Sequence, residues 1–294
     1  MCIIITLDMA KLLATDLDGT LFYPGQIKTC IPKKNIRFLQ RWIDSGNRLI
    51  VITSRSHEFV DKLKDEIKRP FDVVACSSAE IYADGKLLRD VAIPNKTLSE
   101  ILTIINDDLK PLSYMMTTKG YPCIINANRE VGNFFLFFYR IWKFFQFKRE
   151  EPFIVSNEKF LEQLNNGRVY KIMIFFGLGH SKNKFTKELN KQFRSKYSML
   201  EFSWTTKVIE ITPYGCNKGM GLKYYTEAMG FKKEDVYVVG DSGNDISMFT
   251  EFYENSYCMR HAYTSVRKYA KHTVSRVYKL EKMLLKGDNN NEQN

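Results

Sequence analysis

Two apolar, strand-like runs in this chain each end in aspartates. Leu12-Leu13-Ala14 leads into Asp16-Leu17-Asp18-Gly19-Thr20, and far downstream Val236-Tyr237-Val238-Val239 leads into Gly240-Asp241-Ser242-Gly243-Asn244-Asp245. Open α/β sheets build their sites outside the carboxyl ends of the strands, so a chain with acidic groups at two such ends is constrained to bring them to one edge of one sheet. Residues two apart on an extended strand point to the same side, which lets Asp16 and Asp18 converge. Carboxylates crowded in this way repel one another and rise in pKa unless a cation neutralises them. A donor set made only of oxygens favours Mg²⁺.

Two more signals fall between these ends. Leu49-Ile50-Val51-Ile52 terminates in Thr53-Ser54-Arg55, a pair of hydroxyls and a guanidinium suited to phosphate oxygens, and Lys218 opens the helical stretch that begins at Cys216-Asn217-Lys218-Gly219. The order is carboxylate pair, hydroxyl, lysine, carboxylate cluster. It resembles the four motifs of the haloacid dehalogenase superfamily. Asp-x-Asp-Gly-Thr, Thr-x-Arg, Lys-Gly and Gly-Asp-x-x-Asn-Asp-x-x-Met, the last running from Gly240 to Met248, look like those of its Cof-type phosphatases in particular. The resemblance spans nearly the whole chain, since Val208-Ile209-Glu210-Ile211 before the lysine also fits.

The resemblance implies a role for each residue. Asp16 would be the nucleophile that forms an aspartyl-phosphate, and Asp18 the acid/base that protonates the departing alkoxide and later activates water. Mg²⁺ would bind Asp16, the main-chain carbonyl of Asp18 and Asp241, with Asp245 supporting the metal or its waters. Thr53 and the amides near Ser54 and Leu17 would hold phosphoryl oxygens, and Lys218 and Asn244 would offset the charge that builds there. Gly19 would let the backbone turn sharply beside the phosphate. Arg55 is open between substrate contact and a structural ion pair. His57 reads as structural. Two positions depart from the family pattern: Ser54 replaces a glycine, and His261 stands where asparagine is usual.

The alternation of strand (11–16), helix (33–44), strand (48–53), helix (58–68) and strand (71–76) implies βαβ units. The expected fold is α/β, a Rossmann-like doubly wound parallel sheet with an inserted α/β module. A hairpin is expected at 81–88 around Asp84-Gly85. The stretch that follows carries no core motif: a helix near 98–109, strands near 122–126 and 168–176, and a helix near 182–196. The expected division is a first core part, 1–87, a cap, 88–211, and a second core part, 212–294, with helices at 217–229, 245–251 and 265–270 and a disordered tail from about 287. In the resembling family an insertion at this point is the class II cap, which excludes water and contacts the leaving group. Small phosphorylated metabolites, such as sugar phosphates or cofactor-type phosphates, fit an enclosed site better than proteins do. The aromatic segment 131–149 reads as packing in the cap or along a dimer seam, with a lid or an interfacial helix as sharper alternatives; it is too short and interrupted to span a bilayer.

Composition bounds the remaining classes. With 294 residues, 44% hydrophobic and 26% charged, the chain has the balance of a soluble globular protein of one or two domains. Its six cysteines are scattered at no metal or redox spacing, so no zinc or disulfide framework is expected and a reducing compartment is. The first eight residues read as an extension or a frayed arm without a basic leader, which leaves the cytoplasm as the expected location. A net charge of +11 invites nucleic acid, but the lysines are spread from Lys11 to Lys286, as on a basic surface that attracts anionic substrates. The leading expectation is therefore a Mg²⁺-dependent phosphatase with neither nucleic acid nor membrane as partner. A phosphotransferase or mutase sharing the intermediate, and a non-catalytic nucleic-acid- or membrane-binding protein, are the alternatives.

Overall fold

The computed structural model describes residues 10–23, 31–109, 111–127, 154–176, 191–204 and 208–285. The aromatic segment 131–149, the first eight residues, the tail from 287 and most of the helix expected at 182–196 lie outside them.

The central strand β1 (Leu12–Asp16) is buried along its whole length. On one side it pairs in parallel with β2 (Arg48–Ile52), which pairs with β3 (Asp72–Ala75). On the other side it pairs in parallel with β12 (Val236–Gly240), followed outward by β13 (Ser256–Met259) and β14 (His272–Val274). Two antiparallel strands, β4 (Glu80–Ala83) and β5 (Lys86–Asp90), extend the far edge to complete an eight-stranded sheet. The chain thus winds one way from β1 to β3 and returns to the opposite side at β12. This makes the junction of β1 and β12 the topological switch point, where a crevice opens at the carboxyl ends.

Both faces are covered, as a parallel sheet requires. Leu13, Val51, Val73 and Val239 pack on one face with Phe38 and Trp42 of helix α1 (Lys33–Asp44). Leu12, Ala14, Ile50 and Val238 pack on the other with Leu222 and Tyr225, and with Met248 and Phe249. The hairpin between β4 and β5 turns at Asp84 and Gly85, both at positive φ, the geometry a two-residue connection needs. The expected helix at 58–68 is instead two short ones, α2 (His57–Asp61) and α3 (Lys64–Ile67), and the one at 265–270 is a single turn, Thr264–Arg267.

Between β5 and the return to β12 stands a second layer pair. Helix α4 (Asn95–Leu109) precedes β6 (Ser113–Thr118), β7 (Tyr121–Ala127) and β8 (Ile154–Val155); helix α5 (Asn157–Asn166) then leads to β9 (Val169–Phe175), β10 (Leu200–Trp204) and β11 (Val208–Pro213). These strands form a six-stranded, largely antiparallel sheet in the order β10-β11-β9-β6-β7-β8. Leu98, Ile101 and Ile105 of α4 and Phe160 of α5 pack on Met116, Ile172, Ile209 and Ile211 as a separate apolar core. β5 ends at Asp90 and β11 at Pro213. The face that does not meet these helices carries Thr117, Lys171, Glu210 and Thr212, and Lys171 Nζ reaches the Ser54 carbonyl at 3.4 Å. No helix among the described residues is long and apolar enough to cross a membrane.

Candidate active site

Parallel pairing of β1 with β12 puts Asp16, the last residue of β1, beside Asp241, the first residue after β12. Lys218 begins helix α6 (Lys218–Met229), whose start is fixed by Asn217: its side chain accepts the Met220 amide at 3.0 Å. The lysine is almost fully buried, and its Nζ donates to Asp16 Oδ1 and to Asp245 Oδ1, both at 2.6 Å. Burial opposes the ammonium charge, but the Asp16 and Asp245 carboxylates outweigh it and raise the Lys218 pKa.

Asp245 is a scaffold as much as an acid. Its Oδ2 accepts the Asp241 and Ser242 amides, each at 2.9 Å, with the Ser242 hydroxyl oxygen 3.2 Å away, while Oδ1 accepts a hydrogen bond from the Lys218 ammonium. It holds the loop that presents Asp241. Carboxylate oxygens of Asp16, Asp241 and Asp245 lie within 4.8 Å of one another. Burial, with Asp245 and Asp241 adding to it and Lys218 opposing, pushes Asp16 up to about 8. Burial and the Asp245 charge also raise Asp241, against His261, whose Nε2 stands 3.5 Å from Asp241 Oδ2.

Two observations fit a cation here. Among the described residues Asp16 Oδ2 is buried with no hydrogen-bond partner, although an ionised carboxylate has acceptor capacity that a buried site must satisfy. Gly19, at φ +92°, leaves open the space that a Cβ would occupy only 2.1 Å from Asp241 Oδ2. An all-oxygen donor set around an orphaned acceptor suits Mg²⁺.

Asp18 does not join this cluster. The strand ends at Asp16, and a turn closes behind it, with the Phe22 amide on the Leu17 carbonyl at 2.8 Å and Gly19 in the left-handed region. Strand alternation therefore stops applying, and the expected convergence of the Asp16 and Asp18 carboxylates is corrected. The half-exposed Asp18 carboxylate instead takes two bonds from Arg55, Nε to Oδ2 at 2.6 Å and Nη2 to Oδ1 at 2.7 Å. Arg55 also lies over the Phe59 ring, 4.2 Å from its centroid. Sequence reasoning left Arg55 between substrate and ion pair; the partner it missed is Asp18.

The other predicted residues surround the same end of the sheet. Thr53 is buried just beyond β2, the neighbour of β1, and its Oγ1 accepts the Arg55 amide at 3.2 Å. Leu17 is buried, Ser54 is half-buried with its carbonyl held from β9, and Asn244 accepts the Ser242 hydroxyl at 2.7 Å. Behind Thr53 the residues Cys76, Ser77 and Ser78 are all left-handed, and the Ser77 amide donates to the Thr53 carbonyl at 3.1 Å. His57 stacks on Tyr82 with centroids 3.8 Å apart.

A cavity of about 1050 Å³ opens beside Lys218 and Asn244 and runs between the two sheets to Arg194, Glu201 and Glu210. These three escaped the sequence reading. A signal for Glu210 was present, since Ile209-Glu210-Ile211-Thr212 alternates and puts Glu210 and Thr212 on the face opposite the isoleucines.

The sequence model of the haloacid dehalogenase-like hydrolases matches residues 13–279. Among curated relatives, the 5-amino-6-(5-phospho-D-ribitylamino)uracil phosphatase YwtE of Bacillus subtilis is 26% identical, the match covering 81% of this chain and 84% of that protein. The pyridoxal phosphate phosphatase YbhA of Escherichia coli is also 26% identical, over 81% of this chain and 84% of its own. In fold, a solved haloacid dehalogenase-like hydrolase from B. subtilis covers 93% of this chain and 99% of its own with a TM-score of 0.72 at 21% identity. One from Bacteroides thetaiotaomicron gives 0.71 at 19% identity, covering 94% and 99%.

Proposed function

Because the chain belongs to the haloacid dehalogenase-like hydrolases, we propose that it is a Mg²⁺-dependent phosphatase of small phosphorylated metabolites that works through an aspartyl-phosphate on Asp16. One observation supports this most strongly. A buried carboxylate oxygen without a partner, Asp16 Oδ2, stands at the switch point of the sheet, while the other oxygen of the same group is held by Lys218.

Asp16, the main-chain carbonyl of Asp18, and Asp241 would hold the ion, with Asp245 fixing Asp241 from behind. When bound, Mg²⁺ supplies positive charge that draws the phosphoryl group toward Asp16 and disperses its negative charge. The Asp16 carboxylate attacks phosphorus as the ester P–O bond breaks, and Asp18 gives its proton to the departing alkoxide. Asp18 then takes a proton from water, whose oxygen attacks the aspartyl-phosphate and releases inorganic phosphate and free Asp16. Lys218, kept cationic by Asp16 and Asp245, and Thr53 steady the phosphoryl oxygens, with Asn244 and the amides near Leu17 and Ser54 completing the cradle. Both Asp18 oxygens are committed to Arg55, so one must be released for the proton to move; Arg55 positions the acid rather than the phosphate. The cavity of about 1050 Å³ beside Lys218 supports a small metabolite, rather than a folded protein, as the substrate. A cytoplasmic enzyme, without nucleic-acid or membrane partners, is the setting we propose.

The test is phosphate release from a panel of phosphorylated metabolites with Mg²⁺ and with chelator. Release that vanishes with chelator and falls by at least about a thousandfold in Asp16→Asn supports the reading. Turnover that survives in Asp16→Asn removes the nucleophile, and phosphate appearing on an added sugar instead of in solution makes the enzyme a phosphotransferase.

A further inference from the structure

The longest left-handed run among the described residues lies directly behind Thr53. β3 ends at Ala75, and Cys76, Ser77 and Ser78 follow at φ +49°, +55° and +79°, none of them glycine. Side chains rarely accept that conformation, and a run of it persists only where the surroundings over-determine it. Here two amides of the turn go to one loop: Cys76 N–H donates to the Arg55 carbonyl at 2.8 Å, and Ser77 N–H to the Thr53 carbonyl at 3.1 Å. The Ser54 carbonyl between them accepts from Lys171 Nζ at 3.4 Å, so every carbonyl of Thr53-Ser54-Arg55 is held. A trans peptide sets its N–H opposite its C=O, and pinning the Thr53 carbonyl therefore also fixes the direction of the Ser54 amide.

The same turn braces the helix of Lys218. Ser78 is fully buried and faces Gly221, which lies three residues after Lys218 and so on the same side of helix α6. A Cβ on Gly221 would stand 2.2 Å from the Ser78 Cβ and 3.1 Å from Val74 Cγ1, so the helix comes this close only because position 221 has no side chain. Cys76 and Cys216, the latter two residues before Lys218, are buried in one small apolar cluster with Ala79 and Tyr170. Ser77, the middle residue of the turn, lines the cavity together with Lys218. The turn thus stands between the two groups that the proposed reaction needs at one spacing, the Thr53 loop and the Lys218 ammonium. A relaxed turn would lose its amide bonds to the loop, the Cβ seated at Gly221, or both.

Resting on the phosphatase reading, we propose that Cys76–Ser78 is a positioning turn for phosphoryl transfer, which sets the spacing between the Thr53 loop and Lys218 through the seat of the Ser78 Cβ against Gly221. The experiment is a double-mutant cycle of Ser78→Gly, Gly221→Ala and the pair together, read by kcat for p-nitrophenyl phosphate with Mg²⁺ and by the urea unfolding midpoint of the same preparations. Ser78→Gly empties the seat and relieves the left-handed strain, so kcat should fall by about 10-fold while the midpoint does not fall. Gly221→Ala drives the helix from the turn and should lower kcat by about 100-fold. The pair returns one Cβ to the contact from the opposite side and should recover at least about 10-fold of that loss. A Ser78→Gly enzyme at the wild-type kcat, or one whose kcat falls only in step with its midpoint, overturns the positioning role, and so does a pair no faster than Gly221→Ala. If Gly221→Ala does not fold, Ser78→Gly decides alone by the same criterion. Wild-type turnover without this pattern strikes the turn and leaves the phosphatase reading standing; a wild type inert toward the ester removes both.

Discussion

Replacing Lys218 by methionine keeps the length of the side chain and deletes its charge. Two buried carboxylates then lose the one ammonium they share: Asp16 has neither oxygen bonded, and Asp245 keeps only its amide and hydroxyl contacts. Breaking a buried ion pair from one side costs about 3–5 kcal/mol if the stranded charge stays ionised. Asp16 can avoid part of this by holding a proton, and it is already pushed up to about 8 with the lysine present. The folded-state value is raised above the ordinary 3.8, so the folded protein binds the extra proton, and stability is full at low pH and lost as pH rises toward the folded pKa. The slope is about 1.4 kcal/mol per pH unit for one group. In the wild type this loss levels off near pH 8; without the ammonium the folded pKa moves higher and the loss continues. The destabilisation by Lys218→Met, measured by urea unfolding in chelator and followed by circular dichroism, should therefore be about 1–2 kcal/mol larger near pH 9 than near pH 6. Added Mg²⁺ should recover part of it, while phosphate release should stay at least about a hundredfold below wild type. A penalty independent of pH, or none at all, would refute the reasoning that the ammonium lowers the pKa of Asp16.

Three other outcomes follow from the same geometry. Gly19→Ala forces a Cβ to within 2.1 Å of Asp241 Oδ2 from a left-handed backbone, so the Mg²⁺ concentration for half-maximal activity should rise by about tenfold or more, with a matching loss of Mg²⁺-induced stabilisation. Arg55→Ala frees the Asp18 carboxylate from its two-point hold, and kcat should fall by roughly 10–100-fold with an altered pH profile, whereas Arg55→Lys, charged but lacking the fork, should restore only part; unchanged profiles in both would leave Arg55 without a positioning role. Mg²⁺ should raise the melting temperature more at about pH 6 than at the same concentration near pH 5, and more again near pH 8, because the ion competes with the proton that burial keeps on Asp16; equal shifts across that range would contradict it.

The sequence exposes what depends on strand ends and conceals what depends on turns. Asp16, Thr53 and Asp241 lie where apolar runs stop, and the parallel register Leu12↔Val236 and Leu12↔Arg48 brings those stops to one edge. Helix α1 was legible to the residue because its apolar face, Phe38, Leu39 and Trp42, recurs at helical spacing. The edge strand β14 has three residues and β13 four, too short for a period to show, and β6 reads Ser-Tyr-Met-Met-Thr-Thr without clean alternation. At the site, spacing alone equates Asp18 with Asp16 and Asp245 with Asp241. What separates them is backbone: a left-handed Gly19 ends the alternation and turns Asp18 toward Arg55, and two amides and a hydroxyl in the loop after β12 converge on one oxygen of Asp245. An acceptor already taken by two amides of its own loop has less left to offer an ion, while the bare Oδ2 of Asp16 has all of its capacity to give. Hydrogen-bond accounting, which no linear pattern supplies, is therefore what separates these carboxylates, and it places the strongest demand for a cation on Asp16, the nucleophile of the proposed reaction.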